Sequence, residues 1–468
     1  MLKFGTDGWR AVIADEFTYA NVRLVTAGIA GYLKSVSRKP TALIGYDSRF
    51  MGREFAIAAS QELEGQGISV DIGTEPYPTP TIAYAVKARG ADGAIMLTAS
   101  HNPYYYNGLK FIPAYAGPAT ADITEAIERN IQTRNHRESN PKPGGLTHSK
   151  NIRTADLSSE YISHVLDFID IDLIRSRQLS AAVDPFHGAG YRLLPELFRA
   201  AGIETLAIRD SVDPLFEGGF PDPSAINLKR LAGIVVDKKC DAGLALDGDG
   251  DRFGVINEKG EYLSPNQVAA LVLMHMVKNR GAKGAAVRTV ATTHLIDKIA
   301  ADFGLEVIET QVGFKYVGKV MRERPVVMGG EESGGLSVLG HIPEKDGLLA
   351  DLLIMEMIAA EGKSLGDIWS GITKQYGDFF NKRLDVELIE EQKIKLLEDL
   401  NLKPPEAIGG LKVKAIDKLD GFRFSLERGA WLLARPSGTE PLIRIYIEAQ
   451  NDKDFTELIN GASEMVCP

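Results

Sequence analysis

The chain has 468 residues, of which 44% are hydrophobic and 25% charged, and its formal net charge at pH 7 is -10. This composition is typical of globular proteins, and a chain of this length is expected to form about three or four domains. The acidic balance argues against nucleic acid as a partner, and two distant cysteines, Cys240 and Cys467, exclude a disulfide framework and a cysteine zinc site.

No segment has the character of a membrane span or an export signal. No uninterrupted apolar stretch reaches the ~18 residues of a membrane helix. The chain begins without a charged and then apolar leader. We therefore expect a cytoplasmic protein with no membrane partner.

Short apolar runs alternate with longer amphipathic segments along most of the chain, which predicts α/β layers with sheets flanked by helices. A polar, proline-containing stretch at 135–156 is the first expected linker, and a second boundary is expected near 257–260. From 376–382 onwards the pattern changes, which indicates a last domain of different design. The apolar runs are at 42–45, 93–97, 181–183 and 242–246, and amphipathic segments include 56–65 and 161–169.

A serine lies in the motif Thr-Ala-Ser-His-Asn-Pro at 98–103, directly after the run 93–97. Loops at strand ends commonly carry catalytic groups, and Pro103 favours a tight bend, so Ser100 is a candidate nucleophile. An ordinary capped turn explains this motif equally well when it is taken alone. His101 is either a proton acceptor or a loop-orienting residue, because adjacent side chains of an extended segment point in opposite directions.

Three carboxylates are concentrated in Asp-Gly-Asp-Gly-Asp-Arg at 247–252, between two apolar runs. Asp247, Asp249 and Asp251 would repel one another unless a cation held them, and oxygen ligands favour Mg²⁺ over Ca²⁺ or Mn²⁺. The alternative is an EF-hand calcium loop. It fits less well because Arg252 stands where that loop needs glycine and because the flanks resemble strands.

A glycine-rich acidic loop, Gly-Gly-Glu-Glu-Ser-Gly-Gly at 329–335, leads into His-Ile-Pro-Glu-Lys-Asp-Gly at 341–347. Paired carboxylates beside a hydroxyl can bind the vicinal hydroxyls of a sugar, and the glycines allow close approach of the backbone. A flexible acidic surface loop is the competing interpretation.

The last motif is Arg-Pro-Ser-Gly-Thr-Glu-Pro at 435–441, followed by an apolar strand that contains Arg444. A guanidinium fork, hydroxyls and glycine N–H groups can form a phosphate cradle. A surface turn rich in proline and glycine is the alternative. An arginine inside an apolar strand favours anion binding.

In this order, the four motifs resemble those of the α-D-phosphohexomutases, the family of phosphoglucomutase and phosphomannomutase. Phe-Gly-Thr-Asp-Gly-Trp-Arg at 4–10 and Gly-Tyr-Asp-Ser-Arg at 45–49 are similar to that family as well. The resemblance covers the chain from its start to about residue 449. It implies three similar α/β domains with mixed sheets and a smaller C-terminal α+β domain around a central cleft. The expected limits are 1–150 for the serine loop, 151–257 for the metal loop, 258–375 for the sugar loop and 376–468 for the phosphate-binding domain.

The resemblance also implies a role for individual residues. Ser100 would be the phosphorylated serine and, with the three aspartates, a ligand of Mg²⁺. Arg10 and Lys110 would assist proton transfer or stabilise charge at Ser100. His101 is a further catalytic candidate from its position beside the serine, and not from the resemblance. The residues it implies for substrate binding are Glu331, Ser333, Lys345, Arg435, Ser437, Gly438 and Thr439. Arg252 and Arg444 are also expected to bind substrate, because they would supply positive charge in the cleft.

Two departures from the family pattern are visible: Ala11 follows Arg10 where many members have glycine, and Gly335 stands where some members have histidine. Gly335 cannot transfer protons, so that role would fall to Lys110, His101 or Lys345. The Glu-Glu-Ser and His-Ile-Pro-Glu-Lys-Asp-Gly stretches are more similar to glucose-type members than to glucosamine-type members.

The expected function is therefore that of an isomerase, an intramolecular phosphotransferase. It would interconvert hexose 1-phosphate and hexose 6-phosphate, with glucose favoured, through a phosphoserine and a hexose 1,6-bisphosphate that also serves as activator. A mannose preference is the alternative, as is a non-catalytic phosphosugar-binding protein. A phosphatase ranks third, because it leaves the serine loop and the phosphate cradle unexplained. A monomer or a homodimer is expected.

Overall fold

The computed structural model describes residues 8–133, 151–437 and 442–466. Across these residues the chain forms four β-sheets in succession, with helices packed against them. Within the same residues, no helix combines the length and the apolar character that crossing a bilayer requires.

The first sheet is mixed and has six strands in the order β1-β5-β4-β2-β3-β6. Its elements are β1 Trp9–Val12, α1 Tyr19–Val36, β2 Thr41–Tyr46, α2 Gly52–Gly65, β3 Ser69–Gly73, α3 Thr79–Arg89, β4 Gly93–Leu97, β5 Tyr106–Pro113, α4 Ala121–Gln132 and β6 Ile152–Ala155.

The second sheet has five strands in the order β11-β10-β9-β7-β8. Its elements are α5 Ser159–Phe168, α6 Ile171–Arg175, β7 Ser180–Asp184, α7 Leu193–Ala200, β8 Glu204–Ala207, α8 Lys229–Lys238, β9 Ala242–Leu246, β10 Phe253–Asn257 and β11 Tyr262–Leu263.

The third sheet has four strands in the order β13-β12-β14-β15. Its elements are α9 Pro265–Lys278, β12 Ala285–Thr289, α10 Leu295–Asp302, β13 Val307–Thr310, α11 Phe314–Glu323, β14 Val326–Gly330, β15 Leu336–Val338, α12 Gly347–Glu361 and α13 Leu365–Tyr376.

The fourth sheet is antiparallel, in the order β16-β21-β20-β19-β18-β17, and it fits the expected change of design. Its elements are β16 Phe380–Glu387, α14 Glu390–Leu402, β17 Ala407–Ile408, β18 Leu411–Asp417, β19 Phe422–Leu426, β20 Trp431–Pro436, β21 Leu442–Ala449 and α15 Asp452–Val466.

A repeated strand order relates the first three sheets. Each contains three neighbouring parallel strands and a fourth that runs antiparallel: β3-β2-β4-β5, β8-β7-β9-β10 and β13-β12-β14-β15. The turn between the last two strands is the serine loop in the first sheet, the metal loop in the second and the sugar loop in the third. The three loops therefore occupy equivalent places in three copies of one design.

Burial explains why the loop-bearing strands read as continuous apolar runs. All five residues of β4 and all five of β9 are buried, as expected for central strands covered on both faces. One hydrophobic core is continuous across the first three sheets and includes the apolar helix α12. The first sheet has a second core as well, and the fourth sheet has its own core. A small cluster, containing Val290, Ala291, Trp431, Leu433 and Tyr446, joins the third and fourth sheets.

Two sheets extend beyond the limits expected from the sequence. Strand Ile152–Ala155 pairs in parallel with β3, so the first sheet continues past residue 150. Strand Tyr262–Leu263 pairs with β10, so the second continues past residue 257. The first boundary was predicted there because residues 135–156 are polar and contain proline. An edge strand has only a short apolar pattern, so the strand at 152–155 was not recognised. The domain limits themselves stay a prediction.

Candidate active site

Ser100 lies in the turn between β4 and β5 and is buried, with 1% of its surface exposed. Its Oγ donates a hydrogen bond of 2.7 Å to Oδ2 of Asp247, from the second sheet. The backbone of Ser100 is left-handed, with φ +52°, rather than extended. The assumption of an extended segment was therefore wrong, and Nδ1 of His101 lies 3.4 Å from the serine Oγ.

Asp47 and Arg49, which follow β2, hold the serine loop in place. The guanidinium of Arg49 donates four hydrogen bonds of 2.6–3.1 Å to carbonyl oxygens of that loop. Oδ2 of Asp47 accepts from Arg49 Nε at 3.1 Å and from Thr98 Oγ1 at 2.6 Å. Burial raises the pKa of Asp47 to about 6. The four acceptors are the carbonyls of Ser100, Asn102, Pro103 and Tyr106.

The metal loop joins β9 to β10, so its flanks are strands, as expected, and not the helices of an EF-hand. Asp247, Asp249 and Asp251 are all buried, and each offers a carboxylate oxygen within 4.8 Å of the others. A Cβ at Gly248 would lie 2.4 Å from the carbonyl oxygen of Ser100, so glycine permits the close approach of the two loops.

The aspartate cluster can bind a metal ion. Its donors are all carboxylate oxygens, the type preferred by hard divalent cations. Oδ1 of Asp251 is buried and accepts no hydrogen bond from the part of the chain that the structure describes. A buried carboxylate oxygen with remaining acceptor capacity fits a ligand of a cation, so the residues present fit the expected metal.

Two lysines reach the same carboxylates. Lys110, on β5, places Nζ 2.8 Å from Oδ2 of both Asp249 and Asp251. Nζ of Lys345 lies 3.1 Å from Oδ2 of Asp251. The resemblance implied that Lys345 would lie near the second phosphate of a substrate, and this stays a prediction; in the structure the ammonium contacts the metal loop. The two lysines offset part of the negative charge of the cluster.

Charge and burial shift the pKa values of the groups around Ser100. Burial, followed by the charges of Asp249 and Asp251, raises the pKa of Asp247 well above its ordinary value. The positive charge of Arg252, followed by burial, lowers the pKa of His101 well below its ordinary value. His101 is therefore neutral near pH 7. Arg10 donates from Nη1 to Oδ1 of Asn102 at 2.7 Å, beside the serine.

The sugar loop joins β14 to β15 and carries a buried carboxylate. Burial raises the pKa of Glu331 to about 7, and its Oε1 accepts from the backbone N–H of Gly313 at 2.9 Å. Ser333 lies at the loop tip and is half-buried. A Cβ at Gly335 would lie 2.4 Å from Cδ of Lys345. Glycine at this position therefore makes room for the stem of Lys345.

The described part of the fourth motif, 435–437, covers the end of β20 and the residue after it, and β21 begins at Leu442. Arg435 and Arg444 are register partners on these strands. Like charges directly opposite each other are unfavourable in a sheet, and here Asp420 at 2.8 Å from Arg435 and Asp385 at 3.9 Å from Arg444 offset part of the repulsion. Ser437 is buried, and its N–H donates to the carbonyl of Leu442 at 3.0 Å. The expected ligands Gly438 and Thr439 lie outside the described residues.

The structure brings the serine loop, the metal loop and both lysines into direct contact, and Glu331 interacts electrostatically with Lys345 and Arg252. The resemblance pointed to the Asp47–Arg49 segment but gave it no role. Thr79, at the start of α3, was missed: its Oγ1 donates to Oδ2 of Asp249 at 2.5 Å. The Thr79–Pro80 pair has the pattern of a helix start, and nothing in the sequence links it to a carboxylate 170 residues away.

Models of known families match this chain from residue 1 to residue 461 in four segments. They are the phosphoglucomutase/phosphomannomutase alpha/beta/alpha domains I, II and III, at 1–138, 159–260 and 264–376, and the C-terminal domain of the same family, at 389–461.

Whole-chain comparisons agree with these matches. A phosphoglucomutase/phosphomannomutase of Thermococcus kodakarensis is 31% identical over 97% of this chain and 96% of its own. A phosphoglucosamine/phosphogalactosamine mutase of Sulfurisphaera tokodaii is 29% identical over 99% of this chain and 98% of its own. The structure of a Thermus thermophilus protein, named as a candidate phosphomannomutase, matches with a TM-score of 0.86, at 31% identity over 100% of this chain and 99% of its own. The chain therefore belongs to the α-D-phosphohexomutase family and is an isomerase of the phosphotransferring kind.

Proposed function

We propose that this protein interconverts hexose 1-phosphate and hexose 6-phosphate through a phosphoserine at Ser100 and a hexose 1,6-bisphosphate. The observation that carries the proposal is the 2.7 Å hydrogen bond from Ser100 Oγ to Asp247. This bond places the proposed nucleophile in direct contact with the proposed metal site. Phosphoryl transfer requires such a contact, whereas a protein that only binds phosphosugars does not.

In the first half-reaction, a hydroxyl oxygen of the sugar forms a bond to the phosphorus of phosphoserine 100 while the bond from that phosphorus to Ser100 Oγ breaks. The hydroxyl proton passes to a base, and Ser100 Oγ takes up a proton as it leaves. His101, whose Nδ1 lies 3.4 Å from the serine Oγ, is our candidate for the group that exchanges this serine proton, because in-line displacement places the attacking hydroxyl on the far side of the phosphorus. The product of this step is hexose 1,6-bisphosphate with an unphosphorylated serine.

In the second half-reaction, Ser100 Oγ attacks the other phosphate of the same bisphosphate, and the sugar oxygen leaves with a proton. Phosphoserine is restored, so the cycle needs no further reactant. The sugar must turn around between the two steps, and its binding groups must accept both orientations. Glu331 and Ser333 are proposed to hold sugar hydroxyls, while Arg435, Ser437 and Arg444 hold the phosphate that is not reacting.

Mg²⁺ is the proposed metal, held by the three aspartates and an oxygen at Ser100, and when bound it would neutralise charge on the transferring phosphoryl group. Lys110 and Lys345 hold the carboxylates in position through contacts of 2.8–3.1 Å. Arg10 positions the serine loop through Asn102. Arg252 adds positive charge beside Asp247 and keeps His101 neutral.

Glucose is the proposed hexose, on the ground of the Glu-Glu-Ser sugar loop and the His-Ile-Pro-Glu-Lys-Asp-Gly stretch. Glucosamine is the second candidate, because several relatives of 28–31% identity are named phosphoglucosamine mutases. A mannose preference stays open as well. Hexose 1,6-bisphosphate is the proposed activator, since it would phosphorylate Ser100 in newly made enzyme. A cytoplasmic monomer or homodimer remains the expectation.

A coupled assay tests the proposal. The pure protein, Mg²⁺ and a trace of glucose 1,6-bisphosphate are incubated with glucose 1-phosphate, and glucose 6-phosphate is measured. Parallel reactions use mannose 1-phosphate and glucosamine 1-phosphate with their own bisphosphates. Turnover of at least one supports the proposal, and the ratio of their kcat/KM values identifies the hexose. Absence of turnover with all three would refute it.

A further inference from the structure

Asp420 lies in the turn between β18 and β19 and connects the fourth sheet to the third. One of its oxygens, Oδ2, accepts two hydrogen bonds. The first comes from Nε of Arg435 at 2.8 Å, and the second from the backbone N–H of Val312 at 2.9 Å. The side chain of Asp420 is 19% exposed, and that of Arg435 is 13% exposed. This contact is therefore mostly shielded from water. A charge-assisted hydrogen bond is strong in such a place.

Val312 belongs to the turn 311–313, which leads from β13 into α11. The side chain of Gln311 in the same turn donates from Nε2 to the carbonyl of Leu419 at 3.0 Å, so two neighbouring residues hold the turn to the β18–β19 hairpin. The next N–H along the chain, that of Gly313, donates to Oε1 of Glu331 at 2.9 Å. Gly313 has φ +127°, a conformation that favours glycine.

These contacts form a short path from Arg435, on β20, to the sugar loop. Arg435 is held by Asp420, Asp420 by Val312, and the adjoining Gly313 holds Glu331. Each link is a hydrogen bond of 2.8–2.9 Å or a peptide unit, and peptide units are planar and stiff. A displacement of Asp420 therefore moves both the guanidinium of Arg435 and the turn that holds the carboxylate of Glu331.

We infer that Asp420 is a positioning residue: it aims the Arg435 guanidinium at the non-reacting phosphate and ties that arginine to the segment that holds Glu331. The inference rests on the proposed function. Arg444 lies opposite Arg435 on the paired strand, and its charge repels that of Arg435. The carboxylate of Asp420 accepts from Nε of Arg435 and offsets part of this repulsion. In this inference the two Nη groups of the guanidinium bind the phosphate.

The two orientations of the sugar give the inference a distinctive consequence. The non-reacting phosphate is the 6-phosphate in one half-reaction and the 1-phosphate in the other, and the same arginine must bind both. Loss of Asp420 therefore raises KM for hexose 1-phosphate and for hexose 6-phosphate alike. A residue that merely stabilises the fold changes the amount of active protein, and hence the apparent kcat, with no such effect on KM.

The experiment compares Asp420→Ala and Asp420→Asn with the wild type in the forward and reverse directions. Alanine removes the acceptor, and we expect KM to rise ~10-fold or more in both directions, as for loss of a hydrogen bond to a charged group, with kcat within ~3-fold of the wild type. Asparagine keeps an acceptor oxygen without the charge and should restore part of the affinity. Glu391→Gln is the control, because it also removes one negative charge but at an exposed position on α14. It should leave both KM values unchanged.

Two outcomes overturn the inference: KM values that stay at the wild-type level in both variants, or a rise in one direction alone. Where Asp420→Ala does not fold, Asp420→Asn decides by the same criterion, with a rise of at least ~2-fold expected for loss of the charge. Calorimetric titration with inorganic phosphate tests Arg435 separately, and weaker binding is expected in Asp420→Asn. If the wild type turns over no hexose phosphate, the proposed function fails, while the phosphate titration still tests the position of the arginine.

Discussion

Ser100 and Asp247 lie 147 positions apart in the chain, yet the serine Oγ donates to the Asp247 carboxylate at 2.7 Å. The contact depends on two loops that occupy the same place in successive copies of one sheet design. Gly248 permits it, because any Cβ at that position would lie 2.4 Å from the serine carbonyl oxygen. The serine and the aspartate cluster are thus brought together from two sheets, neither of which holds both.

The metal loop predicts a strong effect of Asp249→Asn. Replacing a charged ligand with a neutral amide should weaken Mg²⁺ binding by at least ~10-fold. Loss of a residue that only hydrogen-bonds to a metal ligand already lowers metal affinity or activity by ~10–100-fold. The measurement is activity against Mg²⁺ concentration, together with calorimetric titration of Mg²⁺. Asp237→Asn, an exposed aspartate on α8, is the matched control. An unchanged Mg²⁺ response of Asp249→Asn would remove this residue from the ligand set.

The serine loop predicts that Arg49→Lys is not conservative. A lysine cannot reproduce the fork that reaches four carbonyl oxygens, and buried acceptors would lose their donors. We expect a loss of about 2–3 kcal/mol in the free energy of unfolding and a fall in kcat of ~10-fold or more. Urea unfolding and steady-state kinetics measure both quantities. The exposed change Arg38→Lys serves as the control, and equal behaviour of the two variants would contradict the assigned role.

The buried carboxylate Glu331 predicts a specific dependence of stability on pH. Burial raises its pKa from 4.5 to about 7, so folding favours the protonated form. The contribution of this group to the free energy of unfolding is complete below pH 4.5 and is lost as the pH rises to about 7. The size of the loss is about 3 kcal/mol.

Glu331→Gln cannot lose a proton and should lack this dependence. Urea unfolding of both proteins at about pH 4.5, 6 and 8 should show the variant gaining stability relative to the wild type as the pH rises. Other titrating groups cancel in the difference between the two proteins. A difference that stays constant across this range would show that the Glu331 pKa is not raised. In the variant, the KM for hexose phosphate should also increase.

Gly335 predicts a steric effect on Lys345. In Gly335→Ala, the new methyl group would lie within 2.4 Å of the lysine stem, so the ammonium should withdraw from Asp251. We expect kcat to fall ~10-fold, as for a displaced catalytic-site charge. Gly65→Ala, at a position where a Cβ meets nothing within 4 Å, is the control for the change itself. Wild-type activity of Gly335→Ala would show that activity does not depend on the side-chain conformation that places Lys345 Nζ at Asp251.

Local patterns in the sequence predicted much of the fold and part of the site. The runs 93–97 and 242–246 coincide with β4 and β9, because central parallel strands are apolar throughout. The aspartate loop was identifiable because three carboxylates at alternate positions between apolar runs are typical of a cation-binding loop. A bend at Ser100 was predicted, but its left-handed backbone was not, since nothing local indicates a serine with φ +52°. A hydrogen bond from Arg49 to the carbonyl oxygen of Ser100 accompanies this conformation.

Contacts between distant segments were beyond the reach of sequence patterns. Thr79 and Asp420 act through partners in other sheets, and their own surroundings resemble an ordinary helix start and an ordinary turn. The repeated strand order was likewise hidden, because strand direction and neighbours are decided by packing of whole sheets. The edge strand Ile152–Ala155 was missed for a related reason: its pairing with β3, and not its composition, makes it a strand.

The most direct test of the account is to find the phosphoryl group on the enzyme. The protein is incubated with Mg²⁺ and hexose 1,6-bisphosphate bearing ³²P, quenched, and analysed by peptide mass spectrometry and autoradiography. We predict one labelled site, Ser100, whose label is lost to added hexose 1-phosphate. In Ser100→Ala, label and turnover should vanish, whereas the exposed change Ser35→Ala should keep both. Full turnover by Ser100→Ala, or label at another residue that exchanges with substrate, would contradict the central claim.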